Sequence, residues 1–82
     1  MRISLTNKLG WFDKSKSTKF SGNQDYEFNL WITKSNRFIL EGGYFDCVEE
    51  ISKINACKWL VENNYIDKAE ELDAEYTNSK EI

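Results

Sequence analysis

Between residues 26 and 41 the sequence leaves little freedom in how the chain can pair with itself. Tyr26, Phe28, Leu30 and Ile32 alternate with Glu27, Asn29 and Thr33, which is the period of a strand with one buried face, and Trp31 is the one large apolar residue on the other side. A second strand is predicted over residues 37–41, and parity settles the link between the two. A loop of Ser35 and Asn36 alone would set Leu30 opposite Glu41, whereas a loop of Lys34, Ser35 and a left-handed Asn36 sets Ile32 opposite Phe38 and Leu30 opposite Leu40. A slip of one residue exchanges the faces of a strand, so the second register is the one that builds a continuous apolar face. Gly42 and Gly43 supply positive φ for the next hairpin turn. A third strand is then predicted over residues 44–51, with Phe45, Cys47 and Ile51 on the side of Phe38 and Leu40 and Glu49 as the exception.

Such a face needs a cover, and residues 52–64 are predicted to supply one. Ser52 is a suitable N-cap, Ile54, Cys57, Leu60 and Val61 recur at helical spacing with Ala56 and Trp59 beside them, and Asn63 and Asn64 can end the helix because Asn tolerates the left-handed conformation. A second helix is predicted over residues 68–76, capped by Asp67 with Glu70 three residues on, and with Ala69, Leu72 and Tyr76 facing inward. Before the strand at residue 26, Ile3 and Leu5 alternate in a short strand over residues 2–6 that residues 9–12 can pair with. Residues 13–18, without an apolar side chain, are predicted to be a flexible loop; Lys19 and Phe20 then rejoin a sheet and residues 21–25 turn. The expected fold is a single α+β domain over residues 1–82: a basic hairpin and loop region (1–25), a β-meander (26–51), helices (52–76) and a frayed tail (77–82). Its antiparallel sheet of three to five strands packs against one main C-terminal helix and a second short one.

A chain of 82 residues buries only roughly 60% of its unfolded surface, and its five Phe, four Tyr and three Trp are the main compensation for that size. No apolar run is long enough for a membrane span and the first residues lack the apolar core of a signal peptide, so a cytoplasmic protein is expected. Cys47 and Cys57 suit that compartment as reduced thiols, although the sequence alone leaves a disulfide between them open. Charge is divided along the chain. Residues 1–40 carry seven basic and three acidic side chains, residues 41–82 four basic and eleven acidic.

An enzyme is not expected, nor a metal or other cofactor: there is no histidine, the side chain that most often moves protons near neutral pH and the commonest nitrogen ligand. The carboxylate groupings Asp25/Glu27 and Glu41/Asp46/Glu49/Glu50 read as the solvent side of a sheet and its turns, and Gly42-Gly43 lies in no phosphate-binding pattern. Three surfaces are candidates for binding. Lys8, Lys14, Lys16 and Lys19 lie near Trp11, Phe12 and Phe20, the mixture with which a single-stranded nucleic-acid groove tracks phosphates and stacks bases. Residues 67–81, including Glu70, Glu71, Asp73 and Glu75, could attract a basic partner. Trp31, Ile39, Tyr44 and Val48 share the other side of the sheet, either covered by Ile3, Leu5, Trp11 or Phe12, or exposed as an interface that could also pair two copies of the chain.

Residues 29–63, with Ile51, Ser52, Ala56, Trp59, Leu60 and Asn63 in the pattern I-S-x-x-x-A-x-x-W-L-x-x-N, resemble a short domain of small bacterial and mobile-element accessory proteins. In size, acidity and lack of catalytic motifs the chain is also similar to phage-encoded inhibitors of bacterial defence, anti-CRISPR proteins among them. The resemblance implies a non-enzymatic inhibitor or adaptor that blocks a larger protein or nucleoprotein; the alternative is a nucleic-acid-binding module using the lysine-rich, aromatic N-terminal region. The candidate contact residues are Trp11, Lys14, Lys16, Lys19, Trp31, Glu70, Glu71, Asp73 and Glu75.

Overall fold

The structure, a computed structural model, describes residues 1–7, 9–22, 28–43 and 47–82. They form two compact units, Met1–Ile51 and Ser52–Ile82. The fold is α+β, with antiparallel sheets in the first unit and helices in the second.

In the first unit β1 (Arg2–Ser4) and β2 (Trp11–Asp13) form a hairpin, and β3 (Thr18–Ser21), β4 (Phe28–Ile32), β5 (Phe38–Gly42) and β6 (Cys47–Ile51) form a four-stranded meander in that order. The register deduced from parity is the one observed: Ile32 pairs with Phe38 and Leu30 with Leu40, and Asn36 has φ 60°. The turn is closed by Thr33, whose backbone exchanges hydrogen bonds with Arg37 and Asn36 and whose hydroxyl accepts from the Arg37 amide at 3.1 Å. Carried across the ladders, the same register puts Phe20, Phe28, Leu30, Ile32, Phe38, Leu40, Cys47 and Ile51 on one face and Lys19, Trp31, Ile39, Glu41, Val48 and Glu50 on the other. Glu49, opposite Leu40, is the polar exception on the apolar face, as the alternation predicts.

The second face is covered. Leu5 and Phe12 of the hairpin pack with Trp31, Ile39 and Val48 into a buried cluster, with Ile3 against it, and the Phe12 and Trp31 rings meet at 5.9 Å with a 55° tilt. Burying aliphatic or Phe side chains of this kind stabilises a fold by ~1.5–3 kcal/mol each. Thr6 fastens the hairpin to the sheet edge: its amide donates to the Val48 carbonyl (2.7 Å) and its hydroxyl accepts from the Val48 amide (2.6 Å). The choice the sequence left open, cover or exposure, is therefore decided for cover, and Trp31 is a core residue.

One local expectation in this unit is corrected. Residues 13–18 are not a loose loop: Lys14–Lys16 form a 3-10 turn between β2 and β3. Asp13 organises it, its carboxylate accepting from the Ser15 amide (3.0 Å) and hydroxyl (2.7 Å) while its carbonyl accepts from the Ser17 hydroxyl (2.8 Å). Short polar side chains bonding to nearby backbone give an apolar-free segment its own structure. The described part of the predicted third strand, Cys47–Ile51, pairs with β5 as far as Gly42 opposite Cys47. Tyr26 and Glu27 at the start of the predicted β4, and Tyr44, Phe45 and Asp46, lie outside the described residues, as does Lys8. Gly43 has φ 87°, and a Cβ there would fall 2.9 Å from the Phe28 ring, so both backbone and space call for glycine.

The second unit contains α1 (Lys53–Glu62), α2 (Ile66–Leu72) and α3 (Ala74–Lys80). Ser52 caps α1, its hydroxyl accepting from the Asn55 amide. The helix ends in a Schellman arrangement: Asn64 is left-handed at φ 71°, its amide donates to Val61 and that of Tyr65 donates to Leu60, and Tyr65 stacks on Trp59 at 6.1 Å. The buried stripe is shifted from the predicted one. Ala56, Cys57 and Leu60 are buried but Ile54 is 60% exposed, and the last position of the stripe belongs to Asn63, whose side-chain amide donates to the Trp59 carbonyl at 2.8 Å and so enters the interior satisfied. The predicted helix over 68–76 is two helices, because Asp73 leaves helical geometry (φ −154°) and caps α3 through the Tyr76 amide. Asp67 lies inside the first turn of α2 instead of capping it. Residues 77–80, expected to fray, complete α3, held partly by the buried Thr77 hydroxyl donating to the Ala74 carbonyl.

Candidate partner-binding cleft

An open cleft of about 250 Å³ lies on the first unit between the N-terminal hairpin and the β4–β5 turn. Its floor is the edge of the buried cluster, Leu5, Phe12 and Ile39. One wall carries Leu9 and Trp11; the rim is closed by Lys16 at the end of the 3-10 turn, by Ser17 after it and by Thr33, Lys34, Ser35 and Arg37. These segments come together because Thr18 pairs with Ile32, which puts the residues before β3 beside those that follow β4.

Trp11 is 60% exposed, although it sits in a strand next to the buried Phe12. Alternation explains this: Phe12 faces the sheet, so its neighbour must face outward. The Arg2 guanidinium lies 4.9 Å from the Trp11 ring centroid. Among the described residues Lys16 and Lys34 meet no carboxylate. Arg37 makes a two-pronged pair with Glu50, Nε and Nη2 each donating at 2.6 Å, which raises the Arg37 pKa and lowers that of Glu50. Hydrogen bonds from Ser15 and from the N-terminal ammonium bring the Asp13 carboxyl down to about 2. The acids around the cleft are thus engaged and two of its cations are not.

The other candidate residues have different places. Lys14 is tied down: it donates to Glu41 at 2.6 Å and lies 5.0 Å from the Trp31 ring centroid. Burial pushes Glu41 up, but hydrogen bonds from Lys14 and the Trp31 indole (2.9 Å) and the Lys14 charge outweigh it, so that carboxyl is held below its ordinary value. Lys19, exposed on β3, lies 5.8 Å from the same ring. Trp31 itself is only 8% exposed, so it cannot serve as the exposed anchor expected of it. In the second unit Glu70, Glu71 and Glu75 are exposed, Glu71 accepts from Lys68 at 3.4 Å, Glu75 sits in the first turn of α3 where the helix dipole favours it, and Asp73 is used as a cap. Of these acids Glu70 borders a wider hollow of about 550 Å³, with Val61, Ile66 and Thr77.

Lys34 and Arg37 are the cleft residues that the sequence did not single out. They read as turn residues, and the signal that could have found them was the β3–β4 register, which brings their turn beside Lys16. Cys47 and Cys57 are both free thiols, and burial together with the charge of Asp73 raises the Cys57 pKa, leaving it less reactive. Among the described residues no three of His, Cys, Asp and Glu are grouped as a metal site, and no helix is long and apolar enough to cross a membrane. No family model, no curated protein and no solved structure matches this chain.

Proposed function

We propose that this chain is a small non-enzymatic binding protein of the phage or mobile-element type, a cytoplasmic inhibitor or adaptor that blocks a larger protein or nucleoprotein by docking the Trp11 cleft onto it. The observation that carries this reading is that the exposed Trp11 lines the same cleft as Lys16 and Lys34, over a floor that is already packed. Tryptophan in such a setting is the residue type that most often anchors an interface, surrounded by polar groups that exclude water. The anchor is Trp11 and not Trp31. The complete lack of histidine and the engagement of Asp13, Glu41 and Glu50 in internal bonds favour recognition over proton transfer at this surface.

The test compares the wild-type chain with Trp11→Ala as affinity baits in a bacterial lysate, with and without nuclease treatment. A prey retained at stoichiometric level by the wild type and lost with Trp11→Ala, while circular dichroism shows the variant folded, supports docking at the cleft. Equal retention by both baits rejects Trp11 as the anchor.

A further inference from the structure

Building on the binding reading above, we infer that the partner component seated in the Trp11 cleft is a single-stranded nucleic-acid segment, one base stacking on Trp11 and the flanking phosphates meeting Lys16 and Lys34. Charge is the first support. The described carboxylates on this side of the unit are each engaged: Asp13 with Ser15, Glu41 with Lys14 and Trp31, Glu50 with Arg37. Glu49 projects from the opposite face. What remains at the cleft is positive: Lys16 and Lys34 on its rim, with Arg2 over Trp11.

The kind of cation selects the anion. A carboxylate partner is best held by a guanidinium fork, and the fork of the rim, Arg37, is already closed on Glu50. The unengaged rim cations are lysines, flexible point charges that suit a phosphate track, and the hydroxyl of Ser35 beside them is an exposed donor. Shape selects the strandedness. A cleft of about 250 Å³ has room for one base, and an exposed indole face can stack only on a base that has left its duplex. Lys14 and Phe20, which a purely sequential cluster would have included, take no part, and Phe12 serves only as floor: Lys14 is paired, Phe20 lies half-buried on the other face of the sheet, and Phe12 is buried.

The experiment measures anisotropy of labelled oligo(dT) and oligo(U) strands of about 12 nucleotides with the full chain in about 50 mM salt, then across a salt series. The expected result is binding whose logarithmic salt slope is roughly −1.5 to −3, as two to four phosphates released from counterions require. Lys16→Glu with Lys34→Glu should abolish it, Trp11→Ala should weaken it about 5- to 100-fold, and Trp11→Phe should restore part of that loss. Lys58→Glu, on α1, should leave it unchanged, and thermal melts establish that each variant is folded. The inference is overturned by no binding at low salt, by a Lys16/Lys34 charge reversal that binds like wild type, or by a duplex or polyglutamate competitor as effective as the single strand. If the strands fail to bind while a Trp11-dependent protein prey survives nuclease treatment, the cleft is a protein-docking surface and only this inference falls; if neither is seen, both fall.

Discussion

The two units of this chain are held together by opposite means. In Met1–Ile51 the decisive links join residues far apart in sequence: Thr6 with Val48, Lys14 with Glu41, Phe12 with Trp31. In Ser52–Ile82 the corresponding links are local: the Ser52 and Asp73 caps, the Asn64 turn, the Trp59–Tyr65 stack. The difference governs what each unit can present. Pairing of distant strands gathers Trp11, Lys16, Lys34 and Arg37 around one cleft, whereas helices built from local bonds expose what their own stretch of sequence contains, here Glu70, Glu71 and Glu75.

If the contrast is right, substitutions in the first unit should report on long-range packing. Trp31→Ala should have the largest effect, about 3–5 kcal/mol of stability, because it removes the ring against Phe12 and also leaves Glu41 without its indole donor; urea denaturation measures it. A loss below about 1 kcal/mol would show that the hairpin is not a true cover. Gly43→Ala should follow, at about 1–3 kcal/mol, since positive φ and the Phe28 ring both oppose a methyl group. In the second unit the effects should be smaller and local. Asn64→Ala should destabilise by about 1 kcal/mol while Asn64→Gly is neutral or better, because only the left-handed turn is at stake.

The remaining two expectations concern the cleft. Trp11→Ala should change stability by at most about 1 kcal/mol, the scale of an exposed cation–π contact, while removing binding; comparable losses of both would place Trp11 with Trp31 as a structural residue. The smallest effect is that of pH. Asp13 has a folded pKa near 2, below its ordinary 3.8, so the stability it contributes is present above pH 3.8 and is lost as pH falls through about 2. Carboxyl chemical shifts followed by NMR should place the Asp13 midpoint there, and Ser15→Ala should move it upward.

Much of the first unit could be read in advance. Strand alternation and the parity of Lys34, Ser35 and Asn36 specified the β4–β5 register, because a shift by one residue would have turned Leu30 and Leu40 to opposite faces. The Ser52 cap and the Asn64 stop were equally legible, since both depend on backbone groups within a few residues. The errors arose where two local preferences competed. Asp67 with Glu70 looked like a cap, but α2 already begins at Ile66, which puts Asp67 inside its first turn, and the acid that does cap is Asp73, at the start of α3. Ile54 looked like part of the buried stripe, yet Asn63 can occupy the interior at the far end of α1 because Trp59 supplies the carbonyl its amide needs.

Sequence alone determined the α+β class, the pairing of β4 with β5, the limits of α1 and the two-signed distribution of charge, all properties set by period, parity and neighbouring backbone groups. Tertiary structure alone decided which tryptophan is interior and which is outward, which lysines are neutralised and which remain open, and that Lys34 and Arg37 share a rim with Trp11. The reason is physical: alternation says that two residues lie on opposite sides, but only the partner that arrives from elsewhere in the chain says which side is covered.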